Sequence, residues 1–149
     1  MISREDSWRL KAAAIIFIVY ALLAAMMFFI QEAKAEMDYS SAVIHHTASP
    51  DVSVATIDRW HRARGWAGCG YHFVIRRDGT VEAGRPLDRK GAHAKGRNNR
   101  IGIALCGYDA FTKEQIEALR HVLHQYGIKH IECHHSACPG KGLNVVGLL

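Results

Sequence analysis

At 149 residues, 49% of them hydrophobic, the chain has room for one ordinary domain with its own core once an N-terminal segment is set aside. A formal net charge of +5 is basic without being extreme, and no nucleic-acid partner is expected from it. No internal repeat or low-complexity segment interrupts the reading.

From Ala12 to Ile30 the chain runs 19 residues without a charge, close to the roughly 20 that a helix needs to cross a bilayer core. Arg4, Arg9 and Lys11 precede the run, so the positive-inside tendency leaves the N-terminus in the cytoplasm and sends everything after Ile30 across the membrane. Ala33-Lys34-Ala35 has the small-x-small form of a signal-peptidase site, yet the run exceeds the roughly 7 to 15 apolar residues usual for a cleavable signal. Residues 1–35 are therefore expected to be a signal-anchor or signal peptide, with retention favoured over cleavage. The expected location is tethered to the inner membrane or, after release, periplasmic. Residues 36–149 keep 15 Lys+Arg against 11 Asp+Glu and hold all ten histidines, which directs the search for chemistry there.

In chain order, residues 41–46 (SAVIHH) read as a strand whose end delivers a histidine pair, broken off by Thr47-Ala48-Ser49-Pro50. Val54, Ile57 and Trp60 recur at helical spacing after a capping Ser53 and before Gly65, which predicts a surface helix over 54–64. Residues 71–76 and 80–84 flank Arg77-Asp78-Gly79, a hairpin signal. The basic, glycine-containing stretch 91–100 reads as a loop. Across 85–100, Arg85, Arg89, Lys90, Lys95, Arg97 and Arg100 suit either an anionic polymer or plain solvation. Ile101, Ile103 and Leu105 then alternate along a strand. Thr112 and Gln115 form a capping box, Phe111 and Ile116 a hydrophobic staple, and Ile116, Leu119, Leu123 and Tyr126 an apolar face that ends at Gly127. A last strand over 128–133 leads into His134. The fold class that follows is α/β (α+β): a single mixed β-sheet flanked by helices, preceded by an N-terminal transmembrane or signal helix.

Catalytic zinc takes three protein ligands and leaves the fourth position open. His134 and Cys138, on a tight turn, and the distant His45-His46 pair supply such a set. Spacing alone does not choose between the two histidines of each pair. The surrounding blocks do more: Gly65-Trp66, Gly70-Tyr71-His72-Phe73-Val74-Ile75, Arg77-Asp78-Gly79-Thr80-Val81-Glu82, Ala92-His93-Ala94-Lys95-Gly96 and Cys138-Pro139-Gly140. Together with Val43-Ile44-His45-His46-Thr47-Ala48, they closely resemble the zinc N-acetylmuramoyl-L-alanine amidases of short phage endolysins, relatives of the peptidoglycan-recognition proteins.

The resemblance implies a zinc amidase domain over residues 36–149 that cleaves the amide between N-acetylmuramic acid and L-alanine in peptidoglycan and works as a monomer. It implies Zn2+ held by His45, His134 and Cys138, the active-site tyrosine at Tyr71, and a histidine at His93 for substrate contact. His46, His72 and His135 are read as supporting groups, His72 because strand alternation turns it away from Tyr71. Many relatives carry a lysine two residues ahead of the cysteine, where this chain has Ser136, and Lys141, Lys95 or His93 are the candidates to replace it. The alternative within the same fold is a peptidoglycan-binding module without catalysis, against which Cys138 and Tyr71 both argue. Cys69, Cys106 and Cys133 are left over, an odd number of which two can pair in an oxidising compartment, with Cys106 read as a small buried hydrophobe.

Overall fold

A computed structural model describes residues 4–32, 36–140 and 142–149, with side chains in the N-terminal helix described for Trp8, Lys11 and residues 13–26. The chain divides into two units, Met1–Lys34 and Ala35–Leu149.

The first unit is one uninterrupted helix, α1 (Arg4–Glu32). Its apolar residues fall on all sides, and within this unit Ile15, Phe17, Tyr20, Leu22 and Leu23 are exposed. The transmembrane or signal helix expected over residues 12–30 is thus present as a helix, but among the described residues no helix is long and apolar enough to cross a membrane. The candidate cleavage site at Ala33-Lys34-Ala35 lies outside the described residues.

The second unit is a five-stranded sheet: β1 (Asp38–His46), β2 (Phe73–Ile75), β3 (Val81–Ala83), β4 (Arg100–Leu105) and β5 (His130–Cys133), in the order β3-β2-β4-β1-β5. Only β3 is antiparallel; β1, β2, β4 and β5 run parallel, so their carboxyl ends share one edge of the sheet. The hairpin is shorter than its sequence suggests, with Gly79 at φ +86° closing the turn. On β4, Ile101 through Leu105 are all buried, not alternately, because a parallel strand in mid-sheet is covered on both faces.

The covering elements are α2 (Val54–Ala63) and α3 (Lys113–Gln125). Ser53 caps α2, and Thr112 with Gln115 makes the full capping box of α3. Leu119, Val122 and Leu123 of α3 pack with Ala42, Ile44, Phe73, Ile75, Ile101, Ile103 and Leu105 into the main core. Ile57 of α2 packs with Cys69, Val74 and Cys106 in a smaller cluster on the other face. His45, one residue along from Ile44, belongs to this second face. Gln115 is fully buried, and its Nε2 donates to the Cys106 and Ile75 carbonyls at 2.9 and 3.2 Å, tying α3 to the ends of β2 and β4. All four cysteines are free thiols, so no pairing among Cys69, Cys106 and Cys133 is formed.

Candidate metal centre and active site

Because β1 and β5 are parallel with Ile44 opposite Cys133, the next residue of each, His45 and His134, emerges at the same edge. The His134 amide donates to the Ile44 carbonyl at 3.1 Å, and the two imidazole centroids stand 4.5 Å apart. Past His134 the chain reverses. His135 and Cys138 exchange backbone hydrogen bonds of 3.2 and 2.9 Å, which returns Cys138 to the strand end, where the His46 amide donates to its Sγ at 3.4 Å.

One ligand atom from each of His45, His134 and Cys138 lies within 4.8 Å of the others, so this group can hold a metal ion. Tetrahedral zinc, with bonds of about 2.0–2.3 Å, spaces its donors by roughly 3.3–3.8 Å, so closing on the ion needs at most about 1.5 Å. Burial first, then His93 and His134, pushes His45 down to about 2. Burial also lowers His134, with His135 and Arg97 adding to it. Both rings are therefore neutral near pH 7 and keep a lone pair. Burial raises the Cys138 thiol, a cost that a bound cation reverses by favouring the thiolate. Of each histidine pair, the first member enters the cluster. His135 is exposed and accepts from the Ala137 amide at 3.2 Å, while His46 Nδ1 is buried with no hydrogen-bond partner among the described residues.

Tyr71 precedes β2, and its ring lies 5.1 Å from that of His45 and 5.6 Å from that of His61. Burial, followed by the nearby Cys138, pushes its phenol up to about 12, so it stays protonated and able to donate. Strand alternation does not apply to the Tyr71-His72 step, because β2 begins only at Phe73. His72 is buried for a different reason: Nδ1 accepts from the Gly102 amide at 2.9 Å and Nε2 donates to the Arg89 carbonyl at 3.0 Å.

His93, expected to touch substrate, is 9% exposed, with His45 Nε2 3.1 Å from its Nδ1 and the Arg100 carbonyl 3.2 Å from its Nε2. Burial pushes it down to about 4. Both nitrogens therefore face protein partners. Ser136 and Lys95 are exposed on their loops, and Lys141 lies outside the described residues.

Two participants escaped the sequence reading. Arg97, counted there among loop charges, donates to the Cys133 and His134 carbonyls at 3.2 and 2.6 Å, anchoring a ligand's own backbone. His61, only 6% exposed on α2, accepts from the Gly70 amide at 2.9 Å and packs against Trp66 and Tyr71, which holds the tyrosine in place. In the sequence it stood in the Trp60-His61 pair, which belongs to the family resemblance, with no role attached to it. Beside Tyr71 opens a cleft of ≈ 490 Å³ lined also by Thr47, Ser49, Trp60, His61 and Arg64. A larger cavity of ≈ 840 Å³, lined by Met37, Asp38, Lys90, Asn98 and Asn99, includes none of the chemistry-bearing side chains.

This arrangement can be set beside known proteins. The family model described as N-acetylmuramoyl-L-alanine amidase matches residues 35–141. The endolysin of Enterobacteria phage K11 is 46% identical over 105 residues, covering 62% of this chain and 70% of that protein. Peptidoglycan-recognition protein SC2 of Drosophila melanogaster is 38% identical over 97 residues, 56% of this chain and 53% of that one. Among solved structures, N-acetylmuramoyl-L-alanine amidase LysC from Clostridium intestinale URNW superposes with a TM-score of 0.66 at 33% identity, covering 77% of this chain and 88% of that chain. With the family model spanning well over half its length, and with phage endolysins and a solved amidase similar on either side, this chain belongs to the N-acetylmuramoyl-L-alanine amidase family.

Proposed function

We propose that the chain is a peptidoglycan hydrolase of the endolysin type that cleaves the amide between N-acetylmuramic acid and L-alanine, with zinc bound by His45, His134 and Cys138. The observation that carries the reading is the convergence of two neutral imidazoles and a thiol within 4.8 Å at a strand edge that opens beside Tyr71. When bound, zinc supplies Lewis acidity at an open fourth position, polarising a carbonyl and lowering the pKa of water toward about 7.

The protein's own groups do the rest. Trp60, 43% exposed, and Arg64 line a cleft of a size to seat a sugar-peptide segment against Tyr71. The Tyr71 hydroxyl, kept protonated by burial, donates a hydrogen bond where negative charge develops on the amide oxygen, which favours the transition state over the ground state. With Ser136 in place of the family lysine, proton delivery to the leaving amine falls to another group, and Lys141 and Lys95 are the cations closest in sequence to the site.

Exported placement belongs to the same reading, on the strength of the uncharged run at 12–30 behind Arg4, Arg9 and Lys11. Purified full-length protein carrying one equivalent of zinc should release new L-alanine amino termini from peptidoglycan sacculi. Zinc bound at that stoichiometry with no amine released would refute the hydrolase. Fractionation of expressing cells tests the placement, and a cytosolic pool alone would refute it.

A further inference from the structure

We infer that His93 is a positioning residue that fixes the tautomer of His45, so that His45 offers Nδ1, and not Nε2, to the metal. The inference rests on the zinc reading of His45, His134 and Cys138, and the hydrogen bonds behind it can be followed one at a time. The Arg100 carbonyl carries no hydrogen, so the proton of its 3.2 Å contact with His93 Nε2 belongs to the histidine. A neutral imidazole has a single N–H, which leaves His93 Nδ1 as an acceptor. The group 3.1 Å from that acceptor is His45 Nε2, which must then be the donor. The lone pair remaining on His45 sits on Nδ1. A backbone carbonyl at the start of β4 thereby dictates, through two rings, which nitrogen of a ligand faces the cluster. This is the carbonyl-anchored orientation that metal-binding histidines need.

The fold confines His93 to this place. The Asn98 side-chain oxygen accepts from the amides of His93 and Ala94 at 2.8 and 2.9 Å, fixing the loop that carries the ring. Gly102 on β4 and Gly91 in the loop supply the space: a Cβ on Gly102 would stand 2.6 Å from both Cγ and Nε2 of His93, and one on Gly91 would stand 2.7 Å from Nε2. His72 closes the remaining side, its ring centroid 5.8 Å away. No side chain larger than hydrogen fits at either glycine while the ring stays.

The test uses the full-length chain, with zinc affinity measured by competition against a chromogenic chelator for wild type, His45→Ala, His93→Leu, His93→Asn and Gly91→Ala. His93→Leu and Gly91→Ala should bind zinc about 10 to 100-fold more weakly, the usual effect of losing such a partner. His93→Asn, whose Oδ1 still accepts near the Nδ1 position, should stay within a few-fold of wild type, a rescue that a purely space-filling role would not give. Long-range 1H–15N NMR on the metal-free wild type, which needs no variant to fold, should place the proton of both His45 and His93 on Nε2. A folded His93→Leu with wild-type affinity, or a His45 protonated on Nδ1, would overturn the inference. Wild type and His45→Ala that equally ignore zinc would overturn the metal reading itself, and the NMR result would still decide whether His93 sets the His45 proton.

Discussion

Replacing Arg97 by methionine isolates the contribution of the loop to the metal centre. The stem volume is kept while the charge and five donors are removed. Arg97 bonds to the carbonyls of Cys133 and His134 and pairs with Glu132 at 3.2 Å, with 29% of its side chain exposed. Hydrogen bonds to a charged donor are worth about 1.5–3 kcal/mol each, and partial exposure lets water replace part of that, so the two together hold the 134–138 turn by about 2–3 kcal/mol. If the turn loses that order, only a fraction of molecules presents His134 and Cys138 together, and apparent zinc affinity falls in proportion, roughly 30- to 150-fold. Lysine, a point charge without the fork, should recover only part of the loss. Chelator competition at fixed pH gives the affinity, and urea unfolding of the metal-free protein separates local from global damage. An Arg97→Met protein that folds normally and binds zinc like wild type would refute the argument.

Tyr71→Phe should lower kcat by about 100 to 1,000-fold with zinc affinity unchanged, because the hydroxyl acts on developing charge and not on the ion; a KM effect with intact kcat would assign it to binding instead. Gln115→Leu removes two donors from buried carbonyls and the acceptor for the Thr112 amide at 3.1 Å, which should cost about 2–4 kcal/mol in urea unfolding, and a loss below about 1 kcal/mol would contradict the clamp. In the metal-free protein, stability should fall as pH drops from about 6.5 toward 5. Burial pushes His45 down to about 2 and His93 down to about 4, and lowers His72, so the unfolded chain takes up protons that the folded chain refuses, at up to about 1.4 kcal/mol per pH unit for each of His45 and His93. A denaturation midpoint that stays flat across that window would show these rings protonating in place.

Much of the fold was legible because its signals are local. Ser53, the Thr112-Gln115 box and the Asp78-Gly79 turn act within four residues, and each element they announce is present. Strand lengths were less legible: Tyr71 and His72 looked like strand residues by composition, yet β2 begins at Phe73, and with it went the alternation argument for His72. The ligand set could be named only through the family resemblance, since choosing His45 over His46 depends on the parallel register of Ile44 with Cys133, a pairing across 89 positions. Gln115 shows the same limit in reverse. As half of a capping box it was plain, while its burial against Ile75 and Cys106 is a matter of tertiary packing that no periodicity encodes.

The three donors are each steadied by a different partner: His45 by His93, the His134 carbonyl by Arg97, and the Cys138 sulfur by the His46 amide. Two of those partners come from the single loop between Gly91 and Arg100, which by composition looked like an electrostatic lure for an anionic polymer or an idle solvated turn. Half of the positive charges across 85–100 are engaged within the protein, Arg97 on carbonyls of β5 and its end, Arg100 on Glu132 and, just upstream, Arg85 on the Cys69 and Lys90 carbonyls, while Arg89, Lys90 and Lys95 are exposed. A loop built this way contributes geometry to the cluster as well as exposed positive charge. On the proposed reading, the cleft beside Tyr71, with Trp60 and Arg64 at its lining, takes the wall polymer, and the basic loop steadies His45 and His134, which would hold the metal to which that cleft leads.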